Sequence, residues 1–147
     1  MLAYSEIGPA MLAQSDNGYN VIVGSRPGGM LLFASYADHP RRLIKLNAKL
    51  SSTAAGRYQI LARYYDAYKI TLKLPDFGPS SQDAIAIQMI RECQALADIE
   101  AGRVNVAISK CKRIWASLPG AGYGQPEHGA GVLVAAYQAA GGTIWAG

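Results

Sequence analysis

The chain has 147 residues, half of them hydrophobic and only 16% charged, which suits one folded domain around a single core and excludes a disordered tail or a heavily solvated binding arm. The formal net charge is +4. The basic residues are spread out, apart from Arg41-Arg42-Lys45-Lys49 and Lys110-Lys112-Arg113, so an anionic partner is allowed and nucleic acid is not indicated.

In chain order, Met1 to Glu6 reads as the end of a helix or a very short one, stopped at Gly8-Pro9, because proline fixes its dihedral and lacks a donor. Tyr19 to Val23 alternates and is β-branched, and Met30 to Ala34 follows across a turn rich in glycine and proline, which predicts a hairpin. Beyond about residue 50 the hydrophobic period changes from two to 3.6. Leu61, Tyr64, Tyr65, Tyr68 and Leu72 line a helix starting near Arg57, and Ser80 or Ser81 caps a second, central helix carrying Ile85, Met89, Ile90 and Cys93. Val104, Ala107, Ile108, Cys111, Trp115 and Leu118 mark a third, ended by Pro119-Gly120.

The stretch from Gly129 to Gly147 carries no charge, yet Tyr137, Gln138, Gly141-Gly142 and many alanines make it unfit to span a membrane. Leu133, Ala136, Tyr137 and Ala140 instead predict a terminal helix docked on the core. No internal repeat or long linker appears, so the expectation is a single α+β domain over 1–147, with a sheet-bearing lobe at about 1–50, a helical lobe at about 51–147, and a cleft between them. Cys93 and Cys111 are too few for a disulfide framework; they are buried thiols or one bridge between helices. The N-terminus shows no secretory pattern, which predicts synthesis in the cytoplasm.

Glu6 is an acidic residue among Leu2, Ala3, Tyr4 and Ile7. Buried there, its carboxyl group would stay protonated near neutrality and could donate to a leaving oxygen; on an exposed helix end it would do neither. A hydrolytic glycosidase needs a second carboxylate, and the candidates are Asp16 and Asp38. Asp16 precedes the turn pair Asn17-Gly18, and Asp38 precedes His39-Pro40, so both also read as turn residues. Asn20 stands where the cleft-facing strand begins and offers an amide, not a base.

Tyr58 and Gln59 at a helix start, with Tyr123 and Gln125 in the loop from Gly120 to Gln125, supply flat rings for sugar faces and amides for hydroxyl and acetamido groups. Core packing for Tyr58 and turn geometry for the loop would use the same residues. The glycines of that loop follow a helix instead of a strand and lack a P-loop lysine, so no nucleotide site is expected. His39 and His128 are expected at surface turns, and neither a metal nor a cofactor is expected.

Several segments together resemble a known family: Ser5-Glu6, Gly18 to Gly24, Asp38 to Arg41, Ser52 to Gln59, Asp76-Phe77, Ser81 to Ala84, and the long run Ile114 to Gln125. In this order and spacing they resemble the lambda-type phage endolysins, a lysozyme-like group of lytic transglycosylases. The resemblance covers nearly the whole chain. It implies a lysozyme-like fold, assigns Glu6 the catalytic role and sets the Gly56 to Gln59 turn beside the substrate cleft; Asn20, Tyr58, Gln59, Tyr123 and Gln125 remain the residues expected toward the substrate.

It also implies cleavage of the bond between N-acetylmuramic acid and N-acetylglucosamine in peptidoglycan, leaving a 1,6-anhydro sugar for which no second carboxylate is needed. The partner is then a glycan strand, and the protein is expected to act as a monomer without stable membrane insertion, on the periplasmic wall after release through the inner membrane. Relatives carry a longer helix ahead of the glutamate and a different, charged tract at 7–14. Hydrolysis by Glu6 with Asp16 or Asp38, and wall binding without cleavage, are the competing readings.

Overall fold

The computed structural model describes residues 1–122 and 127–145. Among them are seven helices and one two-stranded antiparallel sheet, the α+β class that the sequence predicts. The chain divides into two compact units, one of residues 7–86 and one of residues 1–6 with 87–147.

In the first unit, Gly8 (φ 83°) puts Pro9 at the start of helix α2 (Pro9–Ala13), so the Gly-Pro pair expected to stop a helix also begins one. The expected hairpin between 19–23 and 30–34 is reduced to a bridge between Val21 and Leu32. The Ile22 N–H still donates to the Leu31 carbonyl at 2.8 Å, while Ile22 itself bridges to Ala55. The regular sheet lies elsewhere: β1 (Ile44–Lys45) pairs with β2 (Ser51–Ser52), Ile44 opposite Ser52.

Helix α3 (Ala62–Thr71) starts five residues later than Arg57, because Gly56 (φ 80°) and Gln59 (φ 49°) are left-handed and Ile60 pairs back to Ala55. Of its predicted stripe only Tyr65 is fully buried, against Phe77 and His39. Helix α4 (Pro79–Glu92) opens on proline, and neither serine caps it. The Ser81 hydroxyl donates instead to Asp76, which also accepts the Gly78 N–H. Past its end Gln94 turns left-handed (φ 57°), with the Gln94 N–H on the Arg91 carbonyl and the Ala95 N–H on the Ile90 carbonyl, a Schellman closure without glycine.

His39 is not at the surface but 3% exposed. Its Nε2–H donates to the Ile60 carbonyl at 2.9 Å and its Nδ1 accepts the Arg41 N–H at 3.0 Å, which fixes the neutral Nε2–H tautomer. Burial lowers its pKa below the ordinary 6.5. Because the unfolded chain binds this proton more readily, the stability held by His39 is complete above about pH 6.5 and is lost as pH falls below it. The expected result in long-range nitrogen spectra is a His39 ring still in the Nε2–H neutral form at pH 6.5; a ring half-protonated there would overturn this account.

In the second unit, α1 (Leu2–Glu6) packs on α7 (Ala130–Ala139), which also packs on α6 (Val104–Cys111), and α6 packs on α5 (Leu96–Glu100). The α5–α6 join is tied by Asp98, 5% exposed, which accepts from Lys110 at 2.6 Å and Arg103 at 2.9 Å. Helix α6 is shorter than its hydrophobic stripe: it ends at Cys111, and tight turns carry the chain on to Leu118. Trp115 and Leu118 are nevertheless buried, so the stripe continues without the helix. Both cysteines are buried free thiols, and burial with the neighbouring Cys93 pushes the Cys111 thiol up to about 12.

Candidate active site

Glu6 is the last residue of α1, behind the buried Leu2, Ala3 and Ser5. Ser117, on the turns that follow α6, reaches it: the Ser117 hydroxyl donates to Glu6 Oε1 and stands 2.8 Å from the Ser5 hydroxyl. Burial lifts the Glu6 carboxyl above its ordinary range, and the hydrogen bonds from Ser117 partly offset this. The carboxyl is therefore a better proton donor near neutrality than a solvated glutamate, while still held by a group that favours its charged form.

The segment carrying Ser117 is itself fastened. Glu127 accepts the backbone N–H of Gly120 at 2.7 Å and of Gly122 at 2.9 Å, and those bonds hold its carboxyl below the usual range. His128 sits edge-on to the Tyr4 ring, with centroids 5.6 Å apart. Tyr123 and Gln125, the loop residues that the sequence nominates for substrate, lie outside the described residues.

Asn20, Tyr58 and Gln59 all belong to the unit 7–86. Asn20 Oδ1 accepts the Asp16 N–H at 3.0 Å and so closes the turn between them. The Tyr58 hydroxyl donates to Asp83 at 2.7 Å, where the Tyr19 hydroxyl also donates at 2.9 Å. Burial, then Asp83, raises the Tyr58 pKa, so the phenol stays neutral. Gln59 is left-handed and its amide donates to the Gly56 carbonyl at 2.9 Å.

This turn rests on Gln82, which is fully buried: its amide oxygen accepts the Arg57 N–H at 2.9 Å, and its nitrogen donates to the carbonyls of Tyr19 at 3.0 Å and Phe77 at 2.8 Å. Neither Gln82 nor Asp83 stands out in the sequence as a site residue, although both fall in the Ser81 to Ala84 segment. Ser117 likewise lies inside the informative run from Ile114 to Gln125.

The two candidate second carboxylates are engaged. Asp16 accepts the Tyr36 hydroxyl at 2.6 Å. Asp38 is paired with Arg41 at 2.9 Å and Lys69 at 3.5 Å, and the Arg41 guanidinium above all lowers its pKa to about 2. A carboxylate that acidic is a weak base at neutral pH. Among the described residues no group of three or more histidine, cysteine or carboxylate side chains is placed to hold a metal ion.

The endolysin of Escherichia phage lambda is 52% identical over 145 residues, covering 98% of this chain and 89% of that relative. The endolysin of Escherichia phage P2 is 49% identical over 148 residues, covering 97% and 90%. A solved structure of bacteriophage lambda lysozyme complexed with a chitohexasaccharide superposes with a TM-score of 0.88 at 53% identity, covering 98% of this chain and 91% of that one. A second structure, of lysozyme from bacteriophage lambda, gives 0.84 at the same identity and coverage. The α+β fold is thus that of the phage lysozyme. The endolysin family profile matches residues 1–144, and with these relatives it shows that the chain belongs to the endolysin family.

Proposed function

We propose that the protein is a peptidoglycan-degrading endolysin that cuts the β-1,4 bond between N-acetylmuramic acid and N-acetylglucosamine as a lytic transglycosylase. The observation that carries this reading is the half-buried Glu6, its carboxyl raised above its ordinary range and held by Ser117, while Asp16 and Asp38 are engaged elsewhere. The sugar-bound lysozyme of similar fold supports a glycan strand as substrate.

In the first step Glu6 gives its proton to the glycosidic oxygen as the bond from that oxygen to the anomeric carbon breaks. The 6-hydroxyl oxygen of the same muramic acid then bonds to the anomeric carbon, and its proton returns to Glu6. No water is consumed, and Glu6 ends as it began. A nucleophile tethered within the substrate replaces an activated water, so one carboxyl group serves as acid and then as base. Asn20, Tyr58, Gln59, Tyr123 and Gln125 are assigned to the sugar rings and acetamido groups.

The enzyme is assigned to the cytoplasm at synthesis and to the wall once the inner membrane is opened; among the described residues no helix is long and apolar enough to cross a membrane.

Mass spectrometry of fragments released from purified walls tests the reading. The expected muropeptides carry anhydro ends, each lighter by one water than a reducing end. Asp16→Asn and Asp38→Asn variants are expected to keep the same products at rates within a few-fold of wild type. Reducing-end products that disappear in either variant would establish hydrolysis instead.

A further inference from the structure

We infer that Ser117, backed by Ser5, is a positioning residue for the catalytic proton: a two-hydroxyl chain polarised toward Glu6 that dedicates one carboxyl oxygen to accepting and leaves the other to carry the proton. The inference rests on the reading of Glu6 as acid and base given above.

The polarity follows from counting protons. A serine hydroxyl has a single proton to donate. The Ser117 proton goes to Glu6 Oε1, so the 2.8 Å contact between the two hydroxyls must be donated by Ser5. Both serines are buried, at 5% and 8% exposure, so water does not readily substitute for either partner. The chain therefore runs from the Ser5 hydroxyl to the Ser117 hydroxyl to Oε1.

When Glu6 is protonated the same oxygen remains the better acceptor, as the carbonyl-type oxygen of the acid, and the proton resides on its twin. The donor need not reorient between the two halves of the reaction. Ser117 also offsets burial. Burial alone would hold Glu6 as the acid and make it slow to take the proton from the 6-hydroxyl; a hydroxyl donated to the carboxylate favours the charged form. The serine thus assists the base step more than the acid step. The bonds from Glu127 to the Gly120 and Gly122 N–H groups hold the segment that presents it.

The test uses the full chain with its glutamate side-chain carboxyl carbons labelled, and follows the Glu6 titration by NMR in wild type, Ser117→Ala and Ser5→Ala. Turnover is measured on soluble glycan strands across pH, with product masses in parallel. In Ser117→Ala the Glu6 midpoint is expected to move upward and the alkaline limb of the pH profile with it. The kcat is expected to fall about tenfold to a hundredfold, the range for one hydrogen bond to a charged group, with KM nearly unchanged. Ser5→Ala should shift the midpoint the same way by less, and it keeps the test open if Ser117→Ala does not fold.

An unmoved Glu6 midpoint in a folded Ser117→Ala chain, or in Ser5→Ala where the first does not fold, overturns the inference. A shifted midpoint with reducing-end products would instead sustain Ser117 and overturn the transglycosylase reading. The two failures are therefore distinguishable.

Discussion

Glu6→Gln is expected to clear peptidoglycan about 10²- to 10⁴-fold more slowly than wild type, the usual size of a general acid–base contribution, and yet to melt at a higher temperature at neutral pH. The first effect follows because glutamine cannot supply or recover a proton, while its amide oxygen still accepts from Ser117. The second follows from the direction of the pKa shift. Burial raises the Glu6 pKa above its unfolded value of 4.5, so its contribution to stability is intact below that value and is lost as pH rises through the folded pKa.

At neutral pH the wild-type protein therefore carries a penalty that the uncharged variant lacks. Well below pH 4.5 the carboxyl is neutral in both states, and the two proteins should melt alike. Calorimetric scans from acid to neutral pH, paired with turbidity loss on permeabilised Gram-negative cells, check both halves. A variant that clears as fast as wild type, or that melts lower at pH 7, would remove Glu6 from the role argued for it.

Gln82→Leu is expected to have the largest effect on stability in the unit 7–86, about 3 kcal/mol or more, because it leaves one backbone N–H and two carbonyls buried without the partner they use. Gly56→Ala should act at the same junction from the other side. An added Cβ would stand 2.7 Å from Gln82 Cδ, and the φ of 80° is already unfavourable for alanine. Since the two substitutions break one contact, their combined loss should be less than the sum of the singles. Chemical denaturation of the two singles and the double measures this. A Gln82→Leu chain within about 0.5 kcal/mol of wild type, the range of a surface change, would show that the glutamine is incidental.

How much of this was legible beforehand differed by kind of feature. Burial read well from periodicity. Val104, Ala107, Ile108, Cys111, Trp115 and Leu118 are all in the core, because an apolar stripe must face inward whether or not the backbone stays helical. Backbone path read less well. Nothing in the period shows that α6 stops at Cys111, nor that the pair Ile44–Lys45 and Ser51–Ser52 forms the sheet, since two-residue strands are too short to alternate.

A histidine before proline reads as a turn residue, whereas the burial of His39 depends on Ile60, Tyr65 and Phe77 gathering around it. For the site, Glu6 stood out through its apolar neighbours. Ser117 could not, because a single hydroxyl leaves no pattern and its importance comes from meeting residues more than a hundred positions earlier in the chain.

That separation bears on the order in which the proposed site assembles as the chain is made. The hexapeptide bearing the acid belongs to the same compact unit as residues 87–147, and its helix packs on the last one, α7. While the ribosome is still translating, the acid has been made but the hydroxyl that orients it has not, and the contacts that bury it are among the most distant in the chain. On the role proposed for Glu6, a chain cut before Ser117 lacks the hydroxyl that meets its carboxyl.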